Sequence, residues 1–268
     1  MRLHRLPSHL SNQAARWISD RKYRVVLKNK RFENGVQRVY HVHIRKAGGT
    51  SVVQMFHALS GLPGAAVYQD LVEANPETRT VIAGDFVFTG WRKELIEKGI
   101  YHFGFSHIPY HQLKLPPGTF TFTCFRDPVR RVVSHYRMLL DIREAGGLHS
   151  CFETEGEWLG DSFDDFIARI PQQHLLNQLY MFDGNYDIDT AFDAVQQIDH
   201  VMYLEDFDRG IDQLNAKLGI NLKTSHRRRS GHRFEPDSNS INQLKEMLEP
   251  EYRFLNRLAG QTAEQGVS

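Results

Sequence analysis

Cysteine is scarce: only Cys124 and Cys151 occur in the 268 residues, and neither belongs to a Cys-x-x-Cys pair. A disulfide framework is thereby excluded, no zinc-type spacing is offered, and the chain is compatible with a reducing compartment. Long apolar runs are lacking too. None approaches the roughly 18–20 residues that cross a bilayer, and the charged N-terminus has no apolar core of secretory-leader type. Neither sign of charge dominates, since 33 Lys and Arg face 32 Asp and Glu. A generalised nucleic-acid binder is therefore not expected, and any anion site has to be local. Repeats and low-complexity tracts are missing as well. What is present is a hydrophobic share of 41% with 11% aromatics. In a chain of this length that suffices for a folded core without cross-links.

Residues 1–38 form a basic arm, with Arg2, Arg5, Arg16, Arg21, Lys22, Arg24, Lys28, Lys30, Arg31 and Arg38 against Asp20 and Glu33. Such an arm can dock peripherally on an anionic membrane or partner, or simply be a solvated, partly helical extension. Trp17, Ile18 and the run Val25–Leu27 suggest that part of it packs. From residue 39 the pattern alternates between β-rich and helical stretches, with strands expected at 39–44, 81–83, 101–105, 120–125 and 200–204. An amphipathic stretch spans 91–98, and helical periodicity marks 51–59, 132–140, 162–169, 172–182, 190–198, 211–218 and 240–259. The acid- and Gly-rich 143–160 and the basic 223–238 read as loops. The expectation is one α/β domain over 39–260, its central sheet mostly parallel and flanked by helices, with a tail at 261–268.

Two strand–turn–helix junctions carry the chemistry. The first reads Arg45-Lys46-Ala47-Gly48-Gly49-Thr50-Ser51. Glycines let several N–H groups converge, the following helix adds its positive end, and Lys46, Thr50 and Ser51 add a charge and two hydroxyls. Alone, such a turn could equally be a plain helix start. It is not a Walker A loop, because Lys46 precedes the glycines instead of following them. The second junction reads Phe125-Arg126-Asp127-Pro128-Val129-Arg130-Arg131 and continues to Ser134. Asp-Pro is a cap followed by an N1 proline. Arg126 at a strand end and Ser134 two helical turns on would suit a terminal phosphate. Taken alone, Arg126 could instead pair with Asp127, and Ser134 could be a small packing residue.

Together the junctions are more specific. His43-Ile44-Arg45-Lys46-Ala47-Gly48-Gly49-Thr50-Ser51 resembles the HIPKTGGTS segment of carbohydrate-type (family 2) sulfotransferases. The stretch Phe125–Tyr136 is similar to that family's FRDPVxRxxSxY motif, and the separation of about eighty residues also fits. More weakly, the likeness runs from about residue 39 to 259 and includes an Asn-Gln helix at His174–Tyr180 and a late strand at Val201–Phe207. Arg45 stands where that family usually has Pro, Ala47 where it has Thr, and Ser106 where Gly is common.

The resemblance implies a sulfotransferase fold of P-loop-NTPase-like type and a co-substrate, 3′-phosphoadenosine 5′-phosphosulfate, leaving as adenosine 3′,5′-bisphosphate. Arg45, Lys46, Ala47, Gly48, Gly49, Thr50 and Ser51 would hold the 5′ end, and Arg126 with Ser134 the 3′-phosphate. Arg228 and Arg229, in the basic loop, would add to the nucleotide site, although that loop could instead steer an acceptor or be plainly solvated. No metal is expected. Phe105-Ser106-His107-Ile108-Pro109-Tyr110 resembles the segment that supplies the family's catalytic base, which makes His107 the base candidate, with His102 and His111 as competitors. Lys46 would stabilise the leaving phosphate. The implied acceptor is a hydroxyl on a saccharide or glycoconjugate. A peptide tyrosine, or a non-catalytic protein that keeps the cradle for regulation, are the rival readings. The expected setting is a bacterial cytoplasm, the alternative a trimmed Golgi-luminal domain.

Overall fold

Val39, Tyr40 and Val42 are wholly shielded from solvent, as a strand buried on both faces of a parallel sheet has to be. They belong to β1 (Arg38–Val42), the centre of a six-stranded sheet in a computed structural model that describes residues 21–74, 79–223 and 234–265. The other strands are β2 (Thr80–Ala83), β3 (Phe86–Gly90), β4 (Phe103–Ser106), β5 (Thr119–Phe125) and β6 (His200–Tyr203), in the spatial order β2-β3-β4-β1-β5-β6. All neighbours pair in parallel except the β2–β3 hairpin. Val42 is in register with Ser106 of β4 and with Thr123 of β5, so these three strands end at one edge. Successive strands are added on opposite sides of β1, and ligands of open α/β sheets collect outside the carboxyl ends of strands at such a switch point.

Helices cover both faces. A segment over 21–29 (α1) precedes β1, and α2 (Gly49–Ala58), α3 (Gly64–Gln69) and α4 (Lys93–Glu97) follow in turn. After β5 comes α5 (Pro128–Glu144), then α6 (Phe152–Leu159), α7 (Phe163–Arg169), α8 (Gln172–Leu175), α9 (Asn177–Tyr180) and α10 (Ile188–Val195). β6 leads to α11 (Phe207–Leu218), and the chain closes with α12 (Ser238–Met247) and α13 (Glu249–Gln265). One core joins Val52, Val53 and Phe56 of α2 with Phe103, Phe105, Phe122 and Leu214. On the other face Tyr40, Phe125, Leu179, Phe182 and Phe254 form the second. Burying each such large side chain contributes roughly 1.5–3 kcal/mol. α5, α6, α7 and α12 pack together as a third cluster through Leu139, Leu159, Phe166 and Leu244.

Most expected elements are present, with instructive differences. β3 was not foreseen: Gly84-Asp85 is a two-residue turn, Gly84 takes a positive φ of 52°, and Ala83 faces Phe86 across the hairpin. Residues 152–159, expected within a loop, are the helix α6. The periodic stretch 172–182 is two short helices interrupted at Leu176, and 240–259 is two helices meeting at Leu248. In the basic arm, Leu27 of α1 is buried against Val87 and Ile100, whereas Trp17 and Ile18 lie outside the described residues. No helix among the described residues is long and apolar enough to cross a membrane.

Candidate functional site

β1 ends in the turn that the glycines shape. Lys46 and Gly48 both adopt positive φ, 65° and 82°, and Gly48 is the N-cap of α2, where no side chain caps the helix. Ser51 and Val52 turn their N–H groups back onto the Gly48 carbonyl, and Ala47 donates to Ile44. Among the described residues the amides of Gly48, Gly49 and Thr50 reach no protein acceptor, so a helix start with orphan donors faces the sheet edge. Gly49 has no positive φ; it is glycine for another reason. A Cβ there would lie 1.8 Å from Nε2 of His43, whose ring occupies that space.

β5 ends in the second turn. Asp127 accepts the Arg130 N–H at 2.8 Å, and Pro128 opens α5, as the Asp-Pro pair foretold. The other Asp127 oxygen takes the Tyr252 hydroxyl at 3.0 Å. Arg126 extends from the strand end, half-buried, and its Nη1 donates to the carbonyl of Lys46 at 2.9 Å. Thr123 Oγ1 adds a bond to the Val42 carbonyl just behind, at 3.0 Å. The two turns, eighty positions apart in the chain, thus touch. Burial lowers the Arg126 pKa, against which Glu205 acts. With one N–H spent on Lys46, the rest of its fork remains for a ligand. Ser134 lies half-buried on α5 two turns further along.

β4 supplies the third loop. Ser106 shapes it: its Oγ accepts the Ile108 N–H at 3.1 Å and is 2.7 Å from the Tyr40 hydroxyl. Next comes His107, whose Nδ1 is 2.7 Å from the His43 carbonyl. A carbonyl can only accept, so Nδ1 carries the proton and Nε2 keeps its lone pair. Burial, aided by the Arg45 cation, lowers the His107 pKa to about 4, so the ring is neutral at physiological pH. Its ring lies 4.2 Å from that of His43, which stacks in turn on His41 at 5.0 Å. The competitors fare differently. His102 sits at the opposite end of β4, where Val87 N–H donates to its Nδ1 at 3.0 Å and Nε2 faces the Lys30 carbonyl at 3.2 Å, so both nitrogens are committed. His111 is exposed on the short turn after Pro109.

Several contributors had no site role in the sequence reading, although the Asn-Gln helix was noted there. Glu155 of α6 is buried, pairs with the Arg45 guanidinium through one oxygen and accepts from His135 Nε2 at 2.7 Å through the other. The helix was hidden by Gly156 and the surrounding acids, and no local pattern announces partners 110 and 20 residues away. Asn177 and Gln178 hold the two turns from the side. Asn177 Oδ1 accepts the Arg45 amide at 3.2 Å, and Gln178 Oε1 accepts the Arg126 amide at 2.8 Å. Gln178 Nε2 returns a bond to the Arg126 carbonyl at 2.9 Å. Behind them Glu251 of α13 takes the Gln178 amide at 2.6 Å and, at 3.6 Å, the fully buried Arg131.

Of the residues that the sequence singled out, Lys46 to Ser51, Arg126 and His107 meet at one sheet edge, with Arg45 alongside but turned toward Glu155 and Asn177. Arg228 and Arg229 lie outside the described residues. Among those described, no group of three His, Cys, Asp or Glu side chains is placed to hold a metal ion. A shallow hollow lined by Asp141, Ile142, Ala145, Leu148 and His149, at the far end of α5, contains none of the candidate residues.

No family model and no curated protein matches the chain. Among solved structures it is similar to a sulfotransferase from Alicyclobacillus acidocaldarius, with 16% identity and a TM-score of 0.39 over 82% of this chain and 94% of the other.

Proposed function

We propose that the chain transfers a sulfuryl group from 3′-phosphoadenosine 5′-phosphosulfate to a hydroxyl of a saccharide or glycoconjugate. The observation that carries this reading is the bond from Arg126 to the Lys46 carbonyl, which joins an amide-lined turn and a guanidinium at one edge of the sheet. A nucleotide with anionic groups at both its 3′ and 5′ positions matches that pair; the motif resemblance names which nucleotide. The residues fit such a ligand. The open amides of Gly48, Gly49 and Thr50 stand at the start of a ten-residue helix, with Thr50 and Ser51 half-buried beside them.

In this reading the amides, Lys46, Thr50 and Ser51 grip the 5′ end, while Arg126 and Ser134 grip the 3′-phosphate. Arg228 and Arg229 are assigned to the nucleotide from the sequence alone. ATP is discriminated against because it lacks the 3′-phosphate and would leave the half-buried Arg126 fork unmatched. The bound co-substrate supplies an activated sulfuryl group on a good leaving phosphate. His107 Nε2 takes the proton of the acceptor hydroxyl as its oxygen bonds to sulfur and the bond from sulfur to the 5′-phosphate oxygen breaks. Lys46 meets the electron pair left on that oxygen. A positioned base contributes on the order of 10²–10⁴ in rate, and one preorganised charge about 3–4 kcal/mol.

Calorimetric titration with adenosine 3′,5′-bisphosphate, ATP as control, tests the grip; labelled-sulfate transfer to glycans and tyrosine peptides tests the reaction. Binding with turnover on glycans is the expected result. Turnover on peptides alone moves the acceptor to tyrosine, and binding without turnover leaves a regulatory nucleotide binder. No bisphosphate binding overturns the reading.

A further inference from the structure

Asn177 and Gln178 are consecutive, yet each holds a different turn of the candidate site. Asn177, 6% exposed, bonds the Arg45 amide in the turn after β1, and its own Nδ2 is fixed by the Gln173 carbonyl at 3.0 Å. Gln178, wholly buried, takes and returns bonds to both main-chain groups of Arg126 in the turn after β5. Its amide nitrogen also donates to Glu251 at 3.1 Å. Glu251 faces Arg131 of α5, and Arg131 donates to the carbonyls of His174 at 3.1 Å and of Leu175 just upstream. Every polar atom of the Gln178 side chain is committed, so the pair has one rigid placement. The Asn177 half of the arrangement needs a donor at position 45, and a proline there would have none.

We infer that Asn177 and Gln178 are positioning residues that set the spacing between the two anion grips, and so determine how much a second phosphate on the same nucleotide adds to binding. The inference rests on the nucleotide reading given above. Each grip would hold a lone phosphate without the pair. The gain from linking two phosphates through one ribose is a matter of effective concentration, which is lost when the two sites drift out of register with the linker.

The test compares three ligands, adenosine 3′,5′-bisphosphate, adenosine 5′-monophosphate and adenosine 3′-monophosphate, by calorimetry on the full chain. Asn177→Ala is expected to weaken the bisphosphate roughly tenfold while each monophosphate changes by less than about threefold. Asn177→Ser is held to the same criterion as Asn177→Ala, so the comparison stands if alanine yields no folded protein. A merely structural role would weaken all three ligands in proportion, and that result overturns the inference, as does a variant that keeps the full gain from the second phosphate. If the wild-type chain gains nothing from the second phosphate, the nucleotide reading fails first and the spacing role falls with it.

Discussion

Arg126 Nη1 rests 2.9 Å from the main-chain oxygen of Lys46, a residue held at positive φ. The side chain of one turn thereby braces the backbone of the other at the point where that backbone is conformationally costly. Arg126→Lys keeps the charge but loses the planar fork that serves the carbonyl and, in the proposed function, a phosphate at once. Binding of adenosine 3′,5′-bisphosphate is expected to weaken about 10–100-fold, as for loss of a charge-assisted hydrogen bond. Adenosine 5′-monophosphate should change far less, and calorimetry on both ligands checks the pattern.

Gly49→Ala is expected to destabilise the fold by about 1–3 kcal/mol, the usual cost of overfilling a packed site. The added methyl would occupy the position of the His43 ring, and nothing about the Gly49 backbone requires glycine. His43→Ala in the same chain should therefore recover much of the melting temperature. A double variant no more stable than Gly49→Ala alone would place the strain elsewhere.

On the proposed mechanism, with His107 as the base, the pH dependence of turnover follows from that histidine. Protonation of Nε2 removes the base, and burial together with the Arg45 cation holds that protonation down near pH 4. Rates should stay flat as pH falls from 7 to about 5. Arg45→Gln removes the cation and leaves Glu155, which favours the imidazolium, so the acid limb is expected to move up from about 4, while burial, the larger cause, still holds it below the ordinary histidine value. A pH–rate profile of the two proteins checks the direction of that move.

Acid stability has a separate origin. Burial lowers His41 to about 3 and His57, His102, His135 and His174 to about 4. For each, the unfolded chain binds the proton between its ordinary value and the depressed one, so the unfolded state holds more protons there. Stability is then full above about pH 6.5 and falls as pH drops toward 4. For fully buried His57 the loss reaches about 3 kcal/mol. Urea titrations across this range should show a steep, multi-proton decline, and His57→Leu should lower the slope by one proton.

Arg131→Met would strand the Glu251 carboxylate, which is fully buried and shared between Arg131 and Gln178. Breaking such a pair from one side costs about 3–5 kcal/mol. Chemical denaturation is expected to show a loss of that order, and Glu251→Gln placed alongside Arg131→Met should reduce it.

The sequence reading was strongest where the signal was short-range. The Asp-Pro start of α5 and the strand-rich runs of β1, β5 and β6 all follow from residues within a few positions of one another. It failed at α6, whose stabilising contacts to α5 and Arg45 lie outside its own acid-rich segment. β3 is set apart from β2 only by the two-residue Gly84-Asp85 turn, a weak local signal that becomes a hairpin through pairing of Ala83 with Phe86. His107 stood out only by resemblance; that its Nε2 bears the lone pair depends on a carbonyl 64 residues away.

By itself, then, the amino-acid order determined the local devices: glycines where φ turns positive, a capped helix, apolar strands that demand cover on both faces. Torsional preference and side-chain periodicity act between near neighbours, and so they are written in the chain. Tertiary structure decided which turns would meet, since strand order around β1 brings Lys46 and Arg126 together and α9 supplies the side chains beside them. Those contacts depend on packing between segments fifty or more residues apart, for which no local pattern exists.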